Sequence, residues 1–172
     1  MRIIGIDPGN IESAFCHIQK REDGTIKIVD AEIVQNGDFF EAVKFSMGKT
    51  KVFSEGEAFP KIYLEDIQAM GMPVGQEVFD TCKYIGRLQL LMEQNEIQYE
   101  MVKRTKVKLH HCGSTRAKDS NVNMAIVDRF DPSRTFGKYG KGTIKNQGMF
   151  FGFKDDMWSA FAISLYGADV NV

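Results

Sequence analysis

The sequence has few cysteines and no long apolar run. Its three cysteines, Cys16, Cys82 and Cys112, are scattered along the chain, which argues against a disulfide framework and against a thiol zinc site. No apolar run approaches the roughly 20 residues that span a bilayer, and the first residues lack the basic-then-apolar pattern of a secretory signal. We therefore expect a cytoplasmic protein with no membrane partner.

The sequence also lacks an excess of either charge, because 22 Lys and Arg residues oppose 23 Asp and Glu residues. The basic residues are nevertheless clustered in two stretches without acids. The first cluster comprises Lys103, Arg104, Lys106, Lys108, Arg116 and Lys118, and the second comprises Arg134, Lys138, Lys141 and Lys145. Such clusters either bind nucleic-acid phosphates or form solvated helix faces, and charge alone does not decide between the two.

Hydrophobic periodicity predicts strands that alternate with helices after an initial run of three strands. The three strands, "RIIGID", "ESAFCHIQK" and "TIKIVDAEIV", are typical of an antiparallel meander, and the alternation of the third changes phase near Asp30, as at a bulge or bend. Strands are also predicted over "KIYLEDI" and "IQYEMV", and an irregular connection over 131–152. Helices are predicted over 39–47, 75–95, 104–111, 118–130 and 154–167. The pattern indicates one α/β domain, residues 1–172, with a mixed sheet covered by helices.

Acidic side chains lie beside three strongly apolar elements. Asp7 ends the first strand, Glu65 lies in the fourth, and Asp155 and Asp156 open the final helix. A lone carboxylate in such a position is costly unless it is paired, protonated or bound to a cation. Singly, each acid has an ordinary explanation, which is a turn at Asp7 and a helix cap at Asp155 or Asp156. Jointly, the placements favour a site for a hard divalent metal, which prefers oxygen ligands.

Four motifs in order resemble those of the RuvC-type Holliday junction resolvases of the ribonuclease H-like superfamily, and among them the smaller bacteriophage-encoded members. The motifs are "IIGIDPG", "YLEDIQAMG", "GSTRAKDSNVNMAI" and "DDMWSAFAIS", and together they span nearly the whole chain. The resemblance implies a five-stranded mixed sheet whose first three strands are antiparallel, with helices on both faces. It also implies that Asp7, Glu65 and Asp156, assisted by Asp155, are catalytic ligands of Mg²⁺, for which Mn²⁺ substitutes.

The function that the resemblance implies is metal-dependent, structure-selective DNA cleavage. Such an enzyme would hydrolyse phosphodiester bonds in pairs at Holliday junctions and other branched DNA such as three-way junctions or replication forks, acting as a homodimer. The helix 75–95 either forms part of the dimer interface or packs its apolar stripe on the sheet. The two basic clusters would then contact DNA phosphates, and the residues expected to do so are Lys103, Arg104, Lys106, Lys108, Arg116, Lys118, Lys138 and Lys141. Tyr139 and Phe136 would either stack on unpaired bases or pack within their loop.

Three positions depart from the family pattern. Ser159 replaces the second acid of the final helix, although Asp155 and Asp156 would flank the direction of position 159 on a helix. Gln68 replaces an aromatic residue, and Asp119 replaces a lysine, which leaves Lys118 as the candidate phosphate contact. Ser159 keeps open a junction-binding protein with weak or lost catalysis. An actin-like phosphotransferase shares the opening motif, but the chain lacks a second glycine-rich phosphate loop and the length for duplicated domains.

Overall fold

The computed structural model describes residues 1–49, 59–68, 71 and 73–171, so Ala69 and Met70 of the motif "YLEDIQAMG" lie outside the described residues. Within these ranges the chain forms five strands and five helices. The strands are β1 (Arg2–Asp7), β2 (Glu12–Lys20), β3 (Ile26–Gln35), β4 (Lys61–Asp66) and β5 (Tyr99–Lys103). The helices are α1 (Phe39–Lys49), α2 (Gln76–Gln94), α3 (Arg104–Cys112), α4 (Asp119–Phe130) and α5 (Met157–Val170).

The strands form one mixed sheet in the order β3-β2-β1-β4-β5. The first three strands are antiparallel, whereas β4 and β5 run parallel to β1. The register between β2 and β3 shifts where His17 pairs with Asp30 and Ile18 pairs with Ile28, so Val29 is an extra residue. The predicted five-stranded sheet is confirmed, as is the bulge that the change of phase near Asp30 indicated.

Helices cover both faces of the sheet, as expected. Alternate strand residues point to opposite faces, so β1 contributes Ile4 and Ile6 to a core with α1 and α2. Ile3 on the same strand belongs to the other core, which includes Trp158, Phe161 and the rest of the buried face of α5. Among the described residues, no helix is long and apolar enough to cross a membrane.

The last helix begins later than predicted. The sequence pattern placed Asp155 and Asp156 in its first turn, but α5 starts at Met157 and Asp156 occupies the N-cap position. Asp155 adopts a positive φ of 37°, which is a left-handed backbone conformation that a helix does not contain. The prediction of a helix over 154–167 is therefore wrong at its start, and the two acids do not flank Ser159 on a helical surface.

Candidate active site

The pairing of β1 with β4 brings two acids together at the ends of adjacent parallel strands. Ile6 pairs with Leu64, so the next residues, Asp7 and Glu65, lie side by side. Ile6 and Leu64 both point into the core beneath α1 and α2. Because successive side chains alternate between faces, both carboxyl groups point to the face covered by α5.

The Asp7 carboxyl group lies where its charged form is strongly disfavoured. Burial raises its pKa well above the usual value, and the negative charges of Glu65 and Asp156 raise it further. The positive charge of Arg104 and a hydrogen bond from the Ser159 hydroxyl act in the opposite direction without cancelling the rise. Ser159 therefore faces Asp7, although it cannot supply the negative charge that the family has at that position.

Glu65 is buried, with 7% of its surface exposed, and Arg104 is its main partner. Burial raises the pKa of Glu65, whereas Arg104 and a hydrogen bond with Asp7 lower it. One guanidinium nitrogen of Arg104, Nη1, lies 3.1 Å from Glu65 Oε1. Because the Arg104 guanidinium favours the charged form of Glu65, the hydrogen bond between the two carboxyl groups is one in which Asp7 donates and Glu65 accepts.

Arg104 also binds Asp119, a residue whose place in the sequence does not connect it with the site. Arg104 Nη2 lies 3.0 Å from Asp119 Oδ2, and Lys108 Nζ lies 3.2 Å from Asp119 Oδ1. Burial would raise the pKa of Asp119, but these two cations outweigh burial and hold it below the usual value. Two members of the first basic cluster therefore form ion pairs inside the site, where they neutralise carboxylates.

The remaining members of the first basic cluster lie on the surface. Lys103 ends β5, Lys106 lies on α3, Arg116 follows α3, and Lys118 occupies the N-cap position of α4. All four side chains are exposed, as is Lys138 in the long connection before α5, while Lys141 is half-buried. The structure thus separates the predicted phosphate contacts into an exposed group and the ion-paired residues Arg104 and Lys108.

The ordinary explanation of Asp7 as a turn residue is not supported by the turn that follows it. Ser13 and Asn36 hold this turn, because Gly9 N donates to Ser13 Oγ at 3.1 Å and Asn36 Nδ2 donates to Gly9 O at 3.0 Å. Asp156 is likewise not a side-chain cap, since within the described residues it makes no capping hydrogen bond to α5. Neither the turn after Asp7 nor the capping of α5 therefore accounts for an acid at its position.

An open cleft of about 460 Å³ lies in front of the carboxyl pair. Its lining includes Asp7, Glu65 and Arg104, together with Thr81 of α2. Gln68, which replaces the family's aromatic residue, also lines the cleft and accepts a hydrogen bond of 2.7 Å from Thr105 Oγ1. Gln68 is therefore oriented by α3.

The donor chemistry of the site fits a hard divalent cation, but the expected ligand set is incomplete. Among the described residues, no three His, Cys, Asp or Glu side chains are close enough together to hold a metal ion. Asp7 and Glu65 form a buried carboxyl pair, Asp156 is near enough to act on the charge of Asp7, and Asp155 is exposed with its backbone turned into the left-handed region. Buried oxygen donors whose charged forms are disfavoured are suited to Mg²⁺ or Mn²⁺, which would compensate their charge.

This chain is similar to known proteins in its structure, whereas the comparisons of its sequence find no match. No family model and no curated protein matches the sequence. The structure of Thermus thermophilus RuvC is similar, with a TM-score of 0.65 at 14% identity, over 96% of this chain and 92% of that chain. RuvC of T. thermophilus in complex with a Holliday junction substrate has a TM-score of 0.65 at 11% identity, over 99% and 97% of the two chains.

A viral resolvase shows the same likeness. The fowlpox virus resolvase in complex with substrate Holliday junction DNA has a TM-score of 0.54 at 16% identity, over 99% of this chain and 98% of that chain. The chain therefore has the ribonuclease H-like fold of the RuvC-type resolvases, as its four motifs implied.

Proposed function

We propose that this chain, which has the fold of the RuvC-type resolvases, is a metal-dependent, structure-selective DNA endonuclease. Its substrates would be Holliday junctions and other branched DNA, cleaved by paired phosphodiester hydrolysis. The observation that carries the proposal is the buried carboxyl pair of Asp7 and Glu65 at the ends of adjacent parallel strands, with Asp156 close to Asp7. That the protein comes from a bacteriophage stays a prediction from the sequence.

The carboxylates in this proposal hold the cation and the surrounding side chains adjust their charge. Asp7 and Glu65 would bind Mg²⁺, or Mn²⁺ in its place, with Asp156 as the third ligand and Asp155 as a candidate assistant. When bound, the cation would activate water for attack on the phosphodiester and stabilise charge on the phosphate oxygens. Ser159 would orient Asp7 through its hydrogen bond, and Arg104 would orient Glu65.

Branched DNA would be bound mainly through its phosphates. The exposed side chains of Lys103, Lys106, Arg116 and Lys118 belong to the end of β5, to α3 and to the segment between α3 and α4. Lys138 and Lys141 lie in the connection before α5 and would contact a second DNA arm. Contacts to phosphates carry little sequence information, so recognition would depend on the shape of the branch and would weaken with salt.

Paired cleavage requires two sites related by the approximate two-fold symmetry of a junction, which is the reason for proposing a homodimer. The exposed side of α2 offers an apolar face for a second copy. This face is a single helical stripe of small and apolar residues, namely Phe79, Cys82, Gly86 and Leu90. Phe79 and Leu90 are each 53% exposed, although α2 buries its other side in the core.

The decisive experiment is cleavage of labelled four-way, three-way and linear duplex DNA with Mg²⁺, Mn²⁺ or EDTA. We expect symmetric nicks in the branched substrates with either metal, and none with EDTA. Asp7→Asn and Glu65→Gln should abolish cleavage while leaving junction binding measurable. Asp23→Asn, the same chemical change in the exposed turn before β3, is the matched control and should cleave like the unmodified protein.

A second comparison separates the two adjacent acids before α5. We expect Asp156→Asn to abolish cleavage because Asp156 acts directly on the charge of Asp7. Asp155→Asn should retain more activity than Asp156→Asn, because the backbone φ of Asp155 is positive and the charge that acts on Asp7 is that of Asp156. Equal activity of both variants and the unmodified protein would contradict the assignment of the third ligand.

A junction-binding protein with weak or lost catalysis is the second candidate. Two observations favour it: Ser159 stands where the family has an acid, and the described residues contain no complete group of three metal-binding side chains. Tight binding of four-way junctions without cleavage under Mg²⁺ or Mn²⁺ would support this candidate and contradict the nuclease. Restoration of cleavage by Ser159→Asp would then identify the missing acid as the cause.

A further inference from the structure

The long connection between α4 and α5 is held in a defined shape, although it lacks regular secondary structure. Asp131 is 8% exposed, and its two carboxylate oxygens accept hydrogen bonds from Thr135 N at 2.8 Å and Phe136 N at 2.9 Å. Gly142 N donates to Phe136 O at 2.8 Å, and Gly148 N donates to Lys141 O at 2.9 Å. The backbone of this segment is therefore fixed by its own hydrogen bonds.

Two glycines in the segment allow the chain to fold closely on itself. A Cβ at Gly142 would lie 2.2 Å from Asn146 O, and a Cβ at Gly148 would lie 2.2 Å from Gly140 O and 2.7 Å from Phe136 Cβ. These distances leave no room for a side chain at either position. The half-buried Phe136 is thus packed against Gly148 within this segment.

The tight segment carries an apolar side chain at its tip. Thr143 and Asn146 close the tip with reciprocal backbone hydrogen bonds of 2.9 and 3.1 Å, and Ile144 lies between them. Ile144 is 84% exposed, the highest value for a large apolar side chain among the described residues. Single exposed apolar residues are common, so exposure alone assigns no role to Ile144.

The surroundings of Ile144 make the tip suited to DNA. From Pro132 to Lys154 the chain contains five basic residues and no acid. Lys145 is the next residue, and Lys138 Nζ and Lys141 Nζ lie 5.1 and 6.0 Å from the centre of the Tyr139 ring. Tyr139 in turn packs against Trp158 in the first turn of α5, the helix whose N-cap is Asp156. The basic tip is thus joined to the helix that begins at the candidate active site.

We propose that Ile144 is a wedge that inserts between bases at the branch point, while Lys138, Lys141 and Lys145 bind the flanking phosphates. Apolar side chains presented on a fixed support separate stacked bases in other DNA-binding proteins, and unstacking the bases costs free energy. The cost is lowest where stacking is already interrupted, as at a branch. This inference rests on the proposed function, because it concerns how the same branched DNA is held.

The test measures base unstacking with 2-aminopurine, whose fluorescence rises when it leaves the stack. The probe is placed at the branch point of a four-way junction or in the middle of one arm, and Asp7→Asn is the background so that the DNA stays intact. We expect a rise at the branch point only. Ile144→Ala should lose most of this rise, and Ile144→Phe should retain it. Val170→Ala removes an apolar side chain of 49% exposure at the far end of α5 and should change nothing.

The phosphate contacts have a separate readout. Lys145→Ala should reduce the slope of log affinity against log salt concentration by about 0.9, the value for one phosphate contact. Two outcomes would overturn the wedge role of Ile144 but not the proposed function. One is an equal rise in fluorescence with Ile144 and with Ile144→Ala, and the other is no rise although the junction is bound. Failure of the Asp7→Asn background to bind any branched DNA would overturn the proposed function and the wedge with it.

Discussion

The substitution Gly5→Ala tests how the sheet positions the final helix. Gly5 lies in β1, two residues before Asp7, where the backbone of α5 crosses the strand. A Cβ at Gly5 would lie 2.3 Å from Ala160 O and 2.4 Å from Ser164 N. Ordinary contacts begin at about 3.4 Å, so α5 would have to move away by about 1 Å, and both neighbours are backbone atoms that cannot rotate aside.

The expected cost is at the upper end of that for overpacked cores, about 3 kcal/mol or more. For a chain of this size, each kcal/mol lowers Tm by about 2 to 4 °C, so Gly5→Ala should lower Tm by about 6 to 12 °C. The matched control is Gly37→Ala, because a Cβ at this exposed turn residue would have no described heavy atom within 4 Å. The control should change the free energy of unfolding by less than about 0.5 kcal/mol.

Thermal and urea unfolding followed by circular dichroism would measure both variants. Since α5 carries Ser159 and begins beside Asp156, its displacement should also weaken binding of Mn²⁺, which calorimetry measures in the same samples. A Tm for Gly5→Ala within about 2 °C of the unmodified protein would refute the close packing of α5 on β1. A loss of stability without a loss of metal affinity would refute the link between that packing and the site.

Three further predictions concern the carboxyl pair, the α2 face and the connection before α5. In EDTA, the stability of the unmodified protein minus that of Asp7→Asn should fall as pH rises above about 4. The raised pKa keeps a proton on folded Asp7 that the unfolded chain, with a pKa near 3.8, releases earlier. A Tm of the unmodified protein that stays level or rises relative to that of Asp7→Asn would contradict this. Leu90→Glu should convert the proposed homodimer to monomers in light scattering, whereas Leu109→Glu, at a similar exposure of 51% on α3, should not. Equal behaviour of the two variants would exclude the α2 face as the interface. Asp131→Ala should lower the free energy of unfolding in urea by about 1 to 3 kcal/mol, because it leaves two backbone N–H groups without their acceptor. An unchanged urea midpoint would show that these hydrogen bonds do not fix the connection.

The strands were predictable because their signal is local. Alternating apolar residues located β1 to β4 within about one residue, and the change of phase near Asp30 predicted the bulge. The resemblance also grouped Asp7 and Glu65 as ligands of one metal, and the pairing of β1 with β4, which the sequence did not predict, brings the two acids side by side. The strands and the bulge depend on residue patterns of a few positions, which a sequence displays directly.

The features that the sequence did not reveal depend on backbone conformation or on distant partners. The late start of α5 results from the positive φ of Asp155, and an aspartate carries no pattern that distinguishes this conformation from a helical one. Arg104 was expected on the DNA-binding surface because its neighbours up to Lys118 include no acid. Its partners are Glu65, 39 residues away, and Asp119, one residue beyond that stretch.

The charge balance of the site supports a function for the carboxyl pair rather than a structural role. The site contains four carboxyl groups and only two cationic side chains that interact electrostatically. The carboxyl groups are those of Asp7, Glu65, Asp119 and Asp156, and the cations are Arg104 and Lys108. A structural ion pair would be balanced, and a well-packed apolar pair would stabilise the fold at least as well. The excess of negative charge has to be met by a retained proton, which the raised pKa of Asp7 indicates, or by an added cation. The proton neutralises only one carboxyl group of the pair, whereas a divalent cation that replaced it would compensate the charges of both Asp7 and Glu65. The same residues that disfavour two ionised carboxylates in the metal-free state would therefore favour metal binding.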